Sequence, residues 1–208
     1  MSRQISSLLI RTRAVTVSAG KPFTWASGIL SPIYTDSRIV LSCPAERRAI
    51  VDAFVEEIMH ECPDFDVVAG VATSAIPWAA LVADEMHKPL IYVRGKKKEH
   101  GKERLVEGRL EKGQKVVLIE DLVSTGGSSV AAVNAIRDEG GDVTHCFAIF
   151  TYGLQRSVQN FAAALCKLVT LTDFETLVQI GRETGYIKHE DEQELARWAD
   201  NPARWKPE

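Results

Sequence analysis

The segment that most constrains the fold is VVLIED at 116–121, a β-branched apolar run that stops at two adjacent carboxylates, passes through LVSTGGSS and enters the helical pattern VAAVNAIRDEGG. Such a run reads as a strand, the hydroxyl- and glycine-rich stretch as a loop, and the 3.6-residue periodicity as a helix. The helix starts between Gly126 and Ser129, turns Val130, Val133 and Ile136 to one face and stops at Gly140-Gly141, where glycine takes the left-handed conformation that ends helices. DVTHCFAIFTY at 142–152 follows, and its long apolar run suits a parallel strand covered on both faces. One βαβ unit results.

The same rhythm recurs upstream. PAERRAIVDAFVEEIMHE sets Ile50, Val51, Phe54, Val55 and Ile58 at helical spacing, and 66–72 reads as a strand, 76–86 as a helix and 89–93 as a strand. Strands alternating with helices of this length imply an α/β fold with a parallel sheet and right-handed crossovers. Ligands in such sheets sit beyond the carboxyl ends of the strands. Three regions fall outside the alternation: 22–36, read as a hairpin around Ser27-Gly28; 167–172, a strand leading to a helix that Asp173 caps; and an acidic helix start from Glu190 with a Trp-bearing end.

A length of 208 residues suits one domain, and 25% charged with 45% hydrophobic residues excludes disordered, collagenous and coiled-coil classes. The net charge of -3 argues against a nucleic-acid partner. That sum conceals a contrast. RGKKKEHGKER at 94–104 carries +4, leaving -7 for the other 197 residues. Cys43, Cys62, Cys146 and Cys166 lack the spacing of a zinc site and are expected to be reduced, mostly buried thiols. The uncharged stretch 67–83 is broken by Gly70 and Pro77 and falls short of a membrane span. The N-terminus lacks a signal-peptide core, so the expectation is a cytoplasmic chain with no membrane partner.

Between a strand end and a helix start, unpaired N–H groups and the helix dipole favour an anion. Ser124, Thr125, Gly126, Gly127, Ser128 and Ser129 occupy that position. A dipole contact is worth only about 0.3–1 kcal/mol, so several groups must converge. The same residues would also serve as a tight turn with an N-cap. Glu120 and Asp121 beside the cradle favour a sugar phosphate, whose ester needs donors and whose hydroxyls need acceptors. The P-loop alternative fails, because Gly95 and Gly101 are separated by five residues and Lys102 precedes Glu103. Neither GxGxxG nor HExxH occurs. The scattered His60, His87, His145 and His189 have no metal-ligand spacing.

VVLIEDLVSTGGSS resembles the phosphoribosyl-pyrophosphate signature of type I phosphoribosyltransferases. Together with FTWASGILSPIYTDSR, YVRGKKKEHG and the C-terminal WADNPARW, it is similar to the orotate phosphoribosyltransferases over most of the chain. The resemblance implies a Rossmann-like type I phosphoribosyltransferase fold across 1–208. Its central parallel sheet would be flanked by helices, with a core at roughly 41–166 and a small hood from roughly 1–40 and 167–208. It further implies phosphoribosyl transfer from phosphoribosyl pyrophosphate to orotate, with magnesium held mainly by substrate oxygens rather than by protein ligands. The family forms homodimers that share a catalytic loop across their interface.

Carried over by position, Glu120 and Asp121 would face the ribose hydroxyls, with Asp121 catalytic. Leu122, Val123, Ser124, Thr125, Gly126, Gly127 and Ser128 would wrap the 5-phosphate, Ser124 also reaching orotate. Arg94, Lys97, Lys98 and His100 match the catalytic loop that contacts pyrophosphate, with Lys98 and His100 as catalytic residues. Ala26, Leu30, Ser74, Gly95 and Tyr152 depart from one branch of the family; Tyr152 replaces an arginine that would face the orotate carboxylate. The branch with FTWASG or FTYG shares several of these changes. Backbone groups of Ile33 and Tyr34 then become the orotate contacts. A transferase for another base and a non-catalytic sensor of phosphoribosyl pyrophosphate are the alternatives, and the hairpin segment and the catalytic loop weigh against them. Trp25 reads as packing, and Trp198 and Trp205 as docking the tail.

Overall fold

The computed structural model describes residues 1–18, 20–25, 28–95 and 104–207. Its helices are α1 (Ser2–Arg11), α2 (Pro44–Glu61), α3 (Ile76–Glu85), α4 (Gly127–Asp138), α5 (Gln155–Ala163), α6 (Phe174–Glu183) and α7 (His189–Asp200). The strands are β1 (Val15–Val17), β2 (Phe23–Thr24), β3 (Leu30–Ser31), β4 (Ile33–Thr35), β5 (Val67–Val71), β6 (Leu90–Val93), β7 (Val106–Glu107), β8 (Lys115–Val123), β9 (Asp142–Thr151) and β10 (Lys167–Asp173). The chain divides into two compact units, Arg47–Leu171 and a second one joining Met1–Glu46 to Thr172–Glu208.

The larger unit is built on a six-stranded sheet of order β10-β9-β8-β5-β6-β7. β5 pairs in parallel with both β6 and β8, and β8 in parallel with β9, while the short β7 runs antiparallel to β6. The expected α/β class with a mainly parallel central sheet is thus present. Val67, Val68, Ala69, Val117, Leu118 and Ile119 are fully buried, because helices cover both faces of these central strands. The absence of a side chain at Gly70 lets α3 lie close to the sheet: a Cβ there would sit 2.9 Å from Ala79 Cβ.

In the other unit β1 and β4 form an antiparallel pair, as do β2 and β3. The hairpin expected across 22–36 is therefore only its first half; Ile33–Thr35 leaves it to pair with Val15–Val17. Asp173 caps α6 as expected, accepting from the Thr176 N–H at 2.8 Å. Trp198 is fully buried, donates from Nε1 to the Leu30 carbonyl at 2.9 Å and meets Trp25 edge-on with ring centroids 5.4 Å apart. The tail is docked through that ring, and Trp25 packs rather than facing solvent. Helices α1 and α5 and strand β7 have no counterpart in the reading of the sequence. No helix among the described residues is long and apolar enough to cross a membrane.

Candidate active site

The order of the sheet locates the crevice. From β5 the chain passes through α3 to β6 on one side, whereas β8 lies on the other side of β5 and leads through α4 to β9. Adjacent strands whose connections leave in opposite directions open a gap at their carboxyl ends, where ligands of open α/β sheets bind. The two segments flanking that gap are 72–75 after β5 and 124–126 after β8.

Gly126 is the N-cap of α4, with φ 75° and ψ 4°. This left-handed conformation costs an L-residue roughly 1–2 kcal/mol, and a Cβ at this position would come within 3.0 Å of the Phe161 ring. Two independent constraints therefore require glycine. Gly127 and Ser128 open the helix on its exposed side, and Ser124 and Thr125 are half-buried. The N–H groups of Gly126, Gly127 and Ser128 meet no backbone acceptor among the described residues, as expected for the first turn of a helix. Their convergence with the dipole makes an anion cradle.

The carboxylates beside it differ from each other. Glu120 is buried, accepting from Ser129 Oγ at 2.9 Å and from the Asp121 N–H at 3.1 Å. Burial pushes its carboxyl well above the ordinary range, and the charge of Asp121 pushes the same way. Asp121 is only half-buried. Both acids were expected to face the ribose hydroxyls, with Asp121 catalytic; the tertiary fold makes Glu120 an internal hydrogen-bonded group and leaves Asp121 nearer solvent. No group of three or more His, Cys, Asp or Glu suited to a metal exists among the described residues.

The remaining expected residues belong to several elements. Leu122 is half-buried and Val123 buried at the end of β8. Arg94 follows β6; its N–H donates to the Leu105 carbonyl at 2.9 Å and its Nη1 lies 3.5 Å from Glu107 Oε1. At the other end of the basic segment Arg104 Nε lies 3.5 Å from Glu139 Oε2. Lys97, Lys98 and His100 lie outside the described residues, as does Ala26. Ile33 is fully buried, and Ser31 Oγ both donates to its carbonyl at 2.8 Å and accepts from its N–H at 3.2 Å. Tyr34 is partly exposed, its ring 5.4 Å from that of Phe23. Tyr152 is buried edge-on against Phe150, its N–H donating to the Val123 carbonyl at 3.1 Å. Cys146 and Cys166 are buried thiols, Cys166 pushed up to about 11 by burial, while Cys43 and Cys62 are half-buried.

Comparison with known proteins decides what this cradle belongs to. Residues 39–180 match the phosphoribosyl transferase domain family. Orotate phosphoribosyltransferase of Lactococcus lactis subsp. cremoris strain MG1363 is 47% identical over 206 residues, covering 99% of both chains. The chain belongs to the orotate phosphoribosyltransferase family. It is a phosphoribosyl-transferring enzyme. The crystal structure of orotate phosphoribosyltransferase from Aeropyrum pernix matches with a TM-score of 0.76 at 28% identity, covering 88% of this chain and 98% of that one. The structure of Leishmania donovani UMP synthase matches with a TM-score of 0.82 at 26% identity; this chain spans 95% of its own length and 42% of that longer chain.

Two contacts at the orotate phosphoribosyltransferase signature escaped the sequence reading. Ser129 was read among the loop donors, and nothing in a nine-residue separation announces its bond to Glu120. Asn160 donates from Nδ2 to the Thr125 carbonyl at 2.9 Å, from a helix that was itself unread. Ser157 and Phe161, both buried and four residues apart, are the signal that could have revealed that helix.

Proposed function

We propose that this enzyme transfers the phosphoribosyl group of 5-phosphoribosyl 1-pyrophosphate to orotate, giving orotidine 5′-phosphate and pyrophosphate in pyrimidine nucleotide synthesis. The observation that carries the reading is the left-handed Gly126 at the start of α4, immediately after a strand that ends in Glu120 and Asp121. Donors for a phosphate ester and acceptors for sugar hydroxyls thus stand side by side. The near-full-length identity to an orotate phosphoribosyltransferase supports orotate as the base.

In this reading the N–H groups and hydroxyls of 124–128 hold the 5-phosphate, and the half-buried Asp121 accepts from the ribose hydroxyls, with Glu120 behind it bonded to Ser129. The orotate ring nitrogen bonds to the anomeric carbon and releases its N–H proton, while the bond to pyrophosphate breaks and pyrophosphate leaves with the electron pair. Arg94, Lys97, Lys98 and His100 balance the charge that develops on it, a role worth about 10²–10³ in rate for one well-placed donor. Magnesium would be held mainly by substrate oxygens and, when bound, would supply Lewis-acid neutralisation of the pyrophosphate. The enzyme acts in the cytoplasm as a homodimer in which the basic segment of one subunit serves the site of its partner.

The test is absorbance-monitored consumption of orotate with phosphoribosyl pyrophosphate and magnesium. Turnover of another base without orotate would overturn the base assignment, and binding without turnover of any base would leave a sensor. For the shared segment, dimers carrying Asp121→Asn mixed with dimers carrying Lys98→Ala should regain activity. Verified subunit exchange without recovery would refute the sharing.

A further inference from the structure

We infer that Asn160, on α5, is a positioning residue for the phosphate-binding loop, fixing the direction in which the Gly126 N–H points. The inference rests on the reading of 124–128 as the phosphate cradle. Thr125 presents a carbonyl oxygen to the Asn160 side chain 2.9 Å away, so the group facing it must be the amide NH2. A trans peptide is planar, which sets the Thr125 carbonyl and the Gly126 N–H on opposite sides of the same unit. Pulling the carbonyl toward α5 therefore turns the Gly126 N–H away from α5.

The next residue of α5 packs against Gly126 itself. A Cβ at residue 126 would lie 3.0 and 3.2 Å from Cε2 and Cδ2 of the Phe161 ring. One hydrogen bond and one van der Waals wall, from consecutive residues of one helix, thus fix the Thr125–Gly126 peptide and the left-handed φ of 75° that follows it. The helix is itself anchored. Ser157 is buried with Oγ donating to the Leu154 carbonyl at 2.7 Å, and Arg137 Nη1 donates to the Ala164 carbonyl at 2.6 Å at the far end. Donors held in place before the ligand arrives need no reorganisation when it binds.

Asn160→Asp keeps the shape and removes the donor, and Asn160→Ala removes the side chain. Both should raise the Kd for ribose 5-phosphate, measured by calorimetry, and the KM for phosphoribosyl pyrophosphate by about tenfold, the value of one well-placed hydrogen bond. The KM for orotate and kcat at saturation should change less than about twofold, whereas a merely structural defect would lower kcat and stability together. Wild-type affinity for ribose 5-phosphate in a folded variant overturns the inference, and so does an equal fall in kcat with KM unchanged. Should neither variant fold, the wild-type protein decides: titration with ribose 5-phosphate should shift the Gly126 amide resonance. Movement of Gly127 and Ser128 alone would overturn the assignment. Failure of orotate turnover with ribose 5-phosphate binding intact would count against the base, and the Asn160 comparison would still be read from the binding constants.

Discussion

Ser129 on α4 donates its hydroxyl to Glu120 Oε2 at 2.9 Å, joining the first turn of the helix to the strand that precedes it, with both side chains buried. The bond closes the loop 124–128 across its base. Ser129→Ala leaves a buried carboxyl oxygen without that donor, a loss of about 1–3 kcal/mol. Urea denaturation should show the midpoint falling without a change in slope. An unchanged midpoint would mean that solvent reaches Glu120 and replaces the hydroxyl.

Glu120 also makes stability depend on pH. Its folded pKa is raised above the ordinary value of 4.5, first by burial and then by Asp121. The folded chain therefore keeps a proton that the unfolded chain has released. Stability from this group is fully present below the unfolded pKa and is lost as pH rises through the folded one. Glu120→Gln, neutral throughout, should gain stability relative to wild type between about pH 4.5 and the raised folded value, as the unfolded carboxyl ionises. Urea midpoints measured from acid to neutral pH check this, and parallel curves for the two proteins would contradict it.

Gly126→Ala forces an L-residue to φ 75° and drives a methyl against the Phe161 ring. The left-handed conformation alone costs roughly 1–2 kcal/mol, and relief by peptide rotation would spoil the cradle. We expect a lower thermal midpoint and weaker ribose 5-phosphate binding in the same variant. Retention of both would show that the loop tolerates another conformation.

Trp198 anchors α7 by burial, by its bond to the Leu30 carbonyl and by contact with Trp25 and Phe174, whose ring centroids lie 5.4 and 5.3 Å away. Trp198→Ala should cost about 3–5 kcal/mol, the range for removing a large buried aromatic side chain. Chemical denaturation measures this directly. A loss below about 1 kcal/mol would mean that the tail contributes little to the unit in which it lies.

Most of the larger unit was legible because its strands carry their burial in composition. Val67–Val71 and Val116–Ile119 are unbroken apolar runs, and such runs fit only a sheet covered on both faces. Asp173 was readable as a cap because capping is a local bond three residues long. Helix α1 and helix α5 were not, since α5 has no capping side chain and buries few residues. The pairing of Val15–Val17 with Ile33–Thr35 was equally hidden, because short strands of three residues carry too little periodicity to announce a partner.

The sequence by itself determined the chemistry: a strand ending in Glu120-Asp121, a hydroxyl- and glycine-rich turn, and a basic segment in an otherwise acidic chain. These are local patterns, and covalent neighbours suffice to express them. The tertiary structure alone decided that Glu120 is buried against Ser129 while Asp121 stays nearer solvent, and that Asn160 and Phe161 brace the Thr125–Gly126 peptide. Those relations join residues 9 to 35 positions apart. They arise only when helices pack on the sheet, because burial and hydrogen-bond direction are properties of the packed neighbours and not of the residues themselves.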